Sequence, residues 1–362
     1  MTALTTRALV LAAALALACG PAPGASAPAA PATNAPAASA PAAPTAASAA
    51  GPATAAPPAA PVRVQAAYSS VTANQSPWWI ALEGGYFREQ GLDLQLTRID
   101  AGATLLAGMH QGEVQLAASG GPALVLGNLQ GLDTMIVGSA SNVLDVIIFT
   151  RPEIQTVADL RGKTIGVSRL KSITDVAARL GLERMGLHPD VDVFTRGTGG
   201  IPESLAALEG GTVDGASING PAIFQARKRG YRELLPIQDL GIPFLTAGVG
   251  STRRVIAEQP AVIDGALRAL AQAINRLRTD REYAMQVIGK YSQSDDAELL
   301  SATVDYIRPQ LQPDLYPDPA AIQGVLDLEE NPAARAAKPD DVADFRFADR
   351  LKTSGFLDRL PQ

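Results

Sequence analysis

The sequence predicts an α/β protein of two lobes, each a mixed, mostly parallel sheet flanked by helices, the lobes joined by a two-strand hinge. Three observations carry this. Short apolar β-branched runs alternate with amphipathic helical stretches from residue 62 onward, the pattern of strands buried by crossover helices. The chain also repeats itself at a constant offset of 99 residues across eight matches. Leu106, Ala107, Gly112, Val114, Ala117, Gly121, Pro122 and Ala123 recur as Leu205, Ala206, Gly211, Val213, Ala216, Gly220, Pro221 and Ala222. Finally, the chain leaves the first repeat near residues 149–153 and re-enters it at 241–249, and two crossovers make a hinge.

The amino terminus is a different kind of chain. Residues 1–18 carry one positive charge, Arg7, followed by an Ala, Leu and Val run, the shape of a secretory signal too short for a membrane span. Ala16-Leu17-Ala18 precedes Cys19, the only cysteine, which resembles a bacterial lipidation site with Cys19 as the lipid-carrying residue. Within residues 19–61, the stretch after Cys19 is almost wholly Ala, Pro, Ser, Thr and Gly, uncharged and without aromatics. It cannot bury enough surface to fold and is expected as a disordered tether behind a lipid anchor.

The remaining 300 or so residues suffice for one two-lobed body. A formal charge of −6 without a basic block argues against nucleic acid. With only His110 and His188, a histidine metal site or a Ser-His-Asp triad has little to build from. No metal or cofactor is expected.

In chain order, residues 62–67 form a strand, and 68–76 a loop rich in Ser, Thr, Asn and Gln. Pro77 suits the first turn of a helix over 78–83, closed by Gly84-Gly85. Trp78 and Trp79 point about 100° apart on it, so one indole belongs to the core and the other can wall a cleft; Trp78 is the candidate. A strand at 92–99, a helix at 104–110, a strand at 113–118, the Ser119-Gly120-Gly121-Pro122 turn and a helix at 123–130 follow, then strands at 133–137 and 146–150. Residues 159–180 read as turn, strand (164–167), polar loop (168–172) and helix. Ile173, Val176, Ala177 and Leu180 give that helix an apolar face, and Ser172 with Asp175 resembles a capping box. A polar loop between a strand's carboxyl end and a helix start favours anions and polar ligand groups, and Arg169 and Lys171 flank it. A long helix, with Ile263, Leu267, Leu270, Ile274 and Leu277 on its apolar side, is followed by shorter ones near 281–290, 295–307, 319–329 and 342–354. Lobe I is thus expected over 62–150 plus 247–362, and lobe II over 151–246.

Several segments are similar to one family. Pro77-Trp-Trp-Ile-Ala-Leu-Glu-Gly-Gly-Tyr-Phe87 with Gly91-Leu-Asp-Leu94, Asp159-Leu-Arg-Gly-Lys-Thr-Ile-Gly-Val167 and Leu208-Glu-Gly-Gly-Thr-Val-Asp-Gly215 resemble, in order and spacing, segments of type II periplasmic binding proteins. The group they resemble most is the nitrate/sulfonate/taurine and thiamine-precursor binding family of ABC importers, across residues 64–291. The resemblance implies two lobes closing on a small, anionic or polar molecule, which a membrane permease and its ATPase then import, by a monomeric component that is no enzyme. The chain has no GxxxxGK[ST] sequence, so energy comes from partners. Carried over by motif, the ligand loops hold Ser70, Asn74 and Gln75; Ser119, Gly120 and Gly121; Asn142 near the hinge; and Ser168, Lys171, Ser172 and Thr174. The repeat adds Asn219 and Gly220 opposite Gly120 and Gly121, and Thr246 lies on the return crossover. Two other readings stay open: a ligand-presenting sensory lipoprotein, and an enzyme on the same fold. A pyrimidine synthase is disfavoured because the family's cysteine-rich stretch is missing.

Overall fold

The computed structural model describes residues 60–100, 102–220 and 222–361; the expected signal, Cys19 and nearly all of the tether lie outside them. The first repeat runs β1 (Val62–Tyr68), α1 (Ser76–Glu83), α2 (Tyr86–Glu89), β2 (Leu92–Arg98), α3 (Gly102–Gln111), β3 (Leu116–Ser119), α4 (Gly121–Leu129) and β4 (Thr134–Val143). It closes with β5 (Ile147–Thr150), and the second repeat runs β6 (Thr164–Val167), α5 (Ile173–Arg184), β7 (Phe194–Gly197), α6 (Ile201–Glu209), β8 (Gly215–Ile218), α7 (Ala222–Lys228) and β9 (Arg232–Pro236). The chain returns through β10 (Pro243–Thr252) and ends in α8 (Arg253–Glu258), α9 (Pro260–Thr279), α10 (Arg281–Ser292), α11 (Ala297–Ile307), α12 (Pro319–Leu328), α13 (Pro339–Val342) and α14 (Arg346–Thr353).

Two five-stranded sheets result, ordered β2-β1-β3-β10-β4 and β7-β6-β8-β5-β9. The repeat is visible strand for strand: shifting β3 by 99 residues lands on β8. In each sheet the fourth strand comes from the other half of the chain and runs antiparallel to the third. β10 pairs with β3 and β4, while β5 pairs with β8 and β9. The sheets therefore exchange one strand each, which ties the halves together more firmly than a loop would.

This exchange moves the first crossover. It falls at residues 144–146, before β5, rather than at 149–153, because Ile147–Thr150 is already laddered into the second sheet. β4 also extends to Val143, well past the expected end at 137, since its long antiparallel ladder with β10 continues to the hinge.

The expected strand at 164–167 forms, and α5 follows it. Its buried face is Thr174, Ala177, Ala178, Gly181 and Leu182, turned by about one residue from the predicted stripe. The capping box does not form: Ser172 makes no cap bond, and Asp175 Oδ2 instead accepts from the Lys171 N–H at 2.7 Å. Lys171 takes a left-handed φ of 65°, which aims that N–H back at the carboxylate. Helix α9 is buried on both of its sides, from Val262 and Ile263 to Leu277. It packs against α1, α2, α10, α14 and β2, and both of its apolar lines are buried.

Candidate ligand-binding site

The predicted site residues sit on loops after strands (Ser70, Gly120, Ser168, Lys171, Ser172, Asn219, Gly220) or within the adjoining strands and helices, and their side chains are mostly spoken for. In the 168–174 loop, Ser168 Oγ lies 2.9 Å from both Ser172 Oγ and Thr174 Oγ1. The Ser168 N–H donates to Thr174 Oγ1, Ser172 Oγ donates to the Arg169 carbonyl at 2.6 Å, and Ser217 Oγ donates to the Thr174 carbonyl at 2.7 Å. Lys171 Nζ donates to both oxygens of Glu330 at 2.7 and 2.8 Å. A cavity of about 740 Å³ opens here, lined by Leu170, Lys171, Ser172, Phe244, Glu329 and Glu330 among others. Its cations, Lys171 and Arg179, face Asp175, Asp190, Glu329 and Glu330, and Arg179 is bonded to both aspartates. Burial and the neighbouring Glu330 push the Glu329 carboxyl up. The region expected to attract an anion is thus already supplied with carboxylates.

The opposing loop is similarly knit. Ser70 Oγ lies 3.1 Å from Thr72 Oγ1, which donates to Asn74 Oδ1 at 2.5 Å, and Asn74 and Gln75 are buried. Trp78 is not a cleft wall. It packs against Phe87 at 6.0 Å inside the core, and both indoles are buried. Trp79 is the one that borders a cavity, a small space of about 130 Å³ with Val71, Thr72, Leu300 and Thr303. Its ring stacks on Tyr291 at 5.0 Å. Helix geometry predicts one ring in the core and the other partly exposed, whereas both are buried, because nothing local says which side the carboxyl-terminal helices cover.

Five other candidates carry structural duties. A Cβ on Gly121 would lie 2.7 Å from the Leu245 carbonyl, so glycine lets the start of α4 approach β10. Gly120 backs onto the Thr246 carbonyl and Ser119 ends the buried β3. Asn142 Nδ2 donates to Gln312 Oε1 at 2.7 Å and the Tyr316 carbonyl at 2.8 Å, anchoring the segment before α12. Thr246 Oγ1 donates to the Val143 and Phe244 carbonyls, pinning β10 to β4 at the hinge.

The unsatisfied chemistry is concentrated elsewhere, at the first crossover. Asp145 sits within Val143-Leu144-Asp145-Val146-Ile147-Ile148, a charge in an otherwise apolar run, and is 4% exposed. Burial pushes its carboxyl up to about 7, although the Asn219 amide beside it pulls the other way. Asp145 Oδ1, Asn219 Oδ1, Gln238 Oε1, Tyr306 OH and Gln310 Oε1 are buried atoms with no hydrogen-bond partner. Five of the nine such side-chain atoms among the described residues gather here, where chance would scatter them. Gln238, Tyr306 and Gln310 line a cavity of about 670 Å³ with Val143, Phe224 and Arg227, a size suited to a small molecule. Tyr306 meets Phe224 edge to face at 6.1 Å. Desolvation, then the nearby Asp145, hold its phenol protonated far above the usual range. Of these residues only Asn219 was predicted. The others come from a hinge segment and the helical tail, which no motif covers, though the lone aspartate in an apolar run is a signal readable in the sequence.

Two like α/β sheets that exchange strands at a hinge, with polar loops at the strand ends, define the architecture of periplasmic solute-binding proteins. The chain belongs to the NMT1/THI5-like family, whose model matches residues 72–284. Its fold is similar to the alkanesulfonate-binding protein SsuA from Xanthomonas axonopodis pv. citri bound to MOPS (21% identity, 79% of this chain and 99% of that one, TM-score 0.61). It is also similar to the periplasmic aliphatic sulphonate binding protein SsuA from Escherichia coli (21% identity, 70% and 86%, TM-score 0.62). The periplasmic nitrate-binding protein NrtA from Synechocystis PCC 6803 has the same fold (13% identity, 83% and 91%, TM-score 0.64). No curated protein matches the chain.

Proposed function

We propose that this protein is the extracytoplasmic solute-binding component of an ABC importer, a non-enzymatic monomer that captures a small polar organic molecule at the crossover between its two lobes. The lobes correspond to the two sheets with their helices. Cys19 carries the lipid, the Ala- and Pro-rich stretch up to residue 61 is the tether, and the closed complex docks on a permease driven by a separate ATPase. Family membership and the fold shared with sulfonate- and nitrate-binding proteins support this reading.

The single observation that carries the location is the group of unpartnered buried oxygens on Asp145, Asn219, Gln238, Tyr306 and Gln310. A buried polar group without a partner costs free energy that a bound ligand recovers. These five residues come from the crossover, the second-sheet half, α11 and the turn after it. Gln238, Tyr306 and Gln310 line the cavity with Asp145 and Asn219 behind them, so one ligand held there bridges both halves and favours the closed state. The loops holding Ser70, Asn74, Ser168 and Ser172 complete the cleft mouth, with their hydroxyls oriented by one another.

A thermal-shift screen of small organic anions, cations and neutral polar compounds on the full chain tests the proposal. A ligand binding only the folded form at a hundred times its Kd stabilises by about 2.7 kcal/mol, so a true ligand raises the melting temperature in a saturating way. Asn219→Ala should abolish that rise. A screen in which no compound of any charge acts, or in which Asn219→Ala leaves the rise intact, contradicts the proposal.

A further inference from the structure

The chemistry lining the crossover cavity selects among ligand classes. Gln310 Nε2 donates to the Tyr306 carbonyl at 2.9 Å, and a carbonyl can only accept, so the Gln310 amide is fixed with Oε1 as its free end. The Asn219 amide donates toward Asp145, which likewise leaves Asn219 Oδ1 free. The free groups at the cavity are therefore the acceptor oxygens of Gln238 and Gln310 and the Tyr306 hydroxyl, which can accept or donate, with the Asn219 and Asp145 oxygens behind them. Charge agrees with this. Facing the cavity are Arg227 from α7, Asp239 from the turn after β9, and Asp305 and Tyr306 from α11. Arg227 is bonded to Glu233, with Nη2 3.1 Å from Oε2, and Asp305 is bonded to Arg281 at 2.5 Å. Asp239 has no ion-pair partner among the described residues, and Asp145 lies behind Tyr306 with none either. An anion entering this space would meet acceptor oxygens and a net negative lining, with the one local guanidinium already matched. A ligand bearing several N–H groups and a positive charge would satisfy what is there. Val143, Ala302, Pro309 and the Phe224–Tyr306 pair supply apolar wall for a compact body.

We propose that the crossover cavity binds a small organic cation, a protonated amine or amidine on a compact apolar body, whose N–H groups bond Gln238 Oε1, Gln310 Oε1 and the Tyr306 hydroxyl beside Asp239. The assignment rests on the solute-binding reading and narrows its ligand class away from the anions that the loop at 168–172 suggests.

Benzamidine, with benzoate and ethanesulfonate as anionic counterparts of similar bulk, is titrated against the full chain at low salt, with melting temperature as the readout. Benzamidine should raise it in a saturating way and both anions should leave it unchanged. Asp239→Asn and Gln310→Leu, one at an exposed position and one half-buried, should each weaken the apparent Kd for benzamidine by roughly tenfold, as expected for loss of a charge-assisted bond. A rise with benzoate or ethanesulfonate but not benzamidine overturns the cation assignment and leaves the solute-binding reading standing. A benzamidine rise unchanged in both variants overturns the location. No rise with any of the three overturns the assignment, and the broader screen then decides the solute-binding reading separately.

Discussion

At Asp145 the proposed site carries a cost in stability. Its carboxyl is fully buried, and that burial, outweighing the Asn219 amide beside it, holds it up at about 7, against an ordinary value of 3.8. A group whose pKa rises on folding binds its proton more tightly in the native state, so its contribution is fully present below about pH 4 and is lost as pH climbs through 7. Asp145→Asn removes the charge without changing the shape. Urea unfolding should therefore show the variant gaining on the natural protein as pH rises from 5 to 8, by about 2–3 kcal/mol of the roughly 4 kcal/mol that a three-unit displacement represents in full. Equal differences at the two pH values would mean that the carboxyl is not desolvated in the folded chain. A residue this costly to bury is retained where it serves recognition more readily than where it serves packing. Lys171 teaches the opposite lesson. Its position beside a helix start suggested an anion partner, yet a carboxylate 159 residues away, Glu330, takes it up. No local pattern contains that information.

At the scale of elements, the close approach of α4 to β10 depends on Gly121, whereas Gly220 at the equivalent place in the repeat has φ +60° and open space around a would-be Cβ. The two glycines match in sequence but answer different demands. Gly121→Ala forces the Leu245 carbonyl aside and should cost about 1–3 kcal/mol, in the range of core overpacking. Gly220→Ala meets only backbone strain, about 1 kcal/mol. Denaturant midpoints compare them, and a neutral Gly121→Ala would show that α4 and β10 are not packed this tightly. Strand and helix identities in both repeats were legible because parallel strands and crossover helices carry strong apolar periods. The ends were not. β4 runs on to Val143 and the crossover shifts to 144–146 because ladder pairing with β10 (nearly 110 residues downstream) decides them. Likewise the covering of Trp78 and Trp79 depends on α9 and α10, far along the chain.

For the whole molecule, the 99-residue repeat was the most informative feature of the sequence, and it appears as two sheets with one strand order. The repeat singles out Asn219 by symmetry, but not Asp145, Tyr306 or Gln310, the other residues of the proposed site. Those residues belong to the crossover and the helical tail, the parts the repeat does not include, and a cleft between unlike copies is furnished where the copies differ. If a ligand held there joins the two halves, its binding must slow local opening on both sides at once. Amide hydrogen exchange on the full chain, with and without the compound that most raises the melting temperature, reads this directly. Added protection at residues 144–146, 217–220 and 302–310 together is the expected result. Protection confined to one sheet, or to the loop at 168–174 alone, would contradict a ligand site at the crossover.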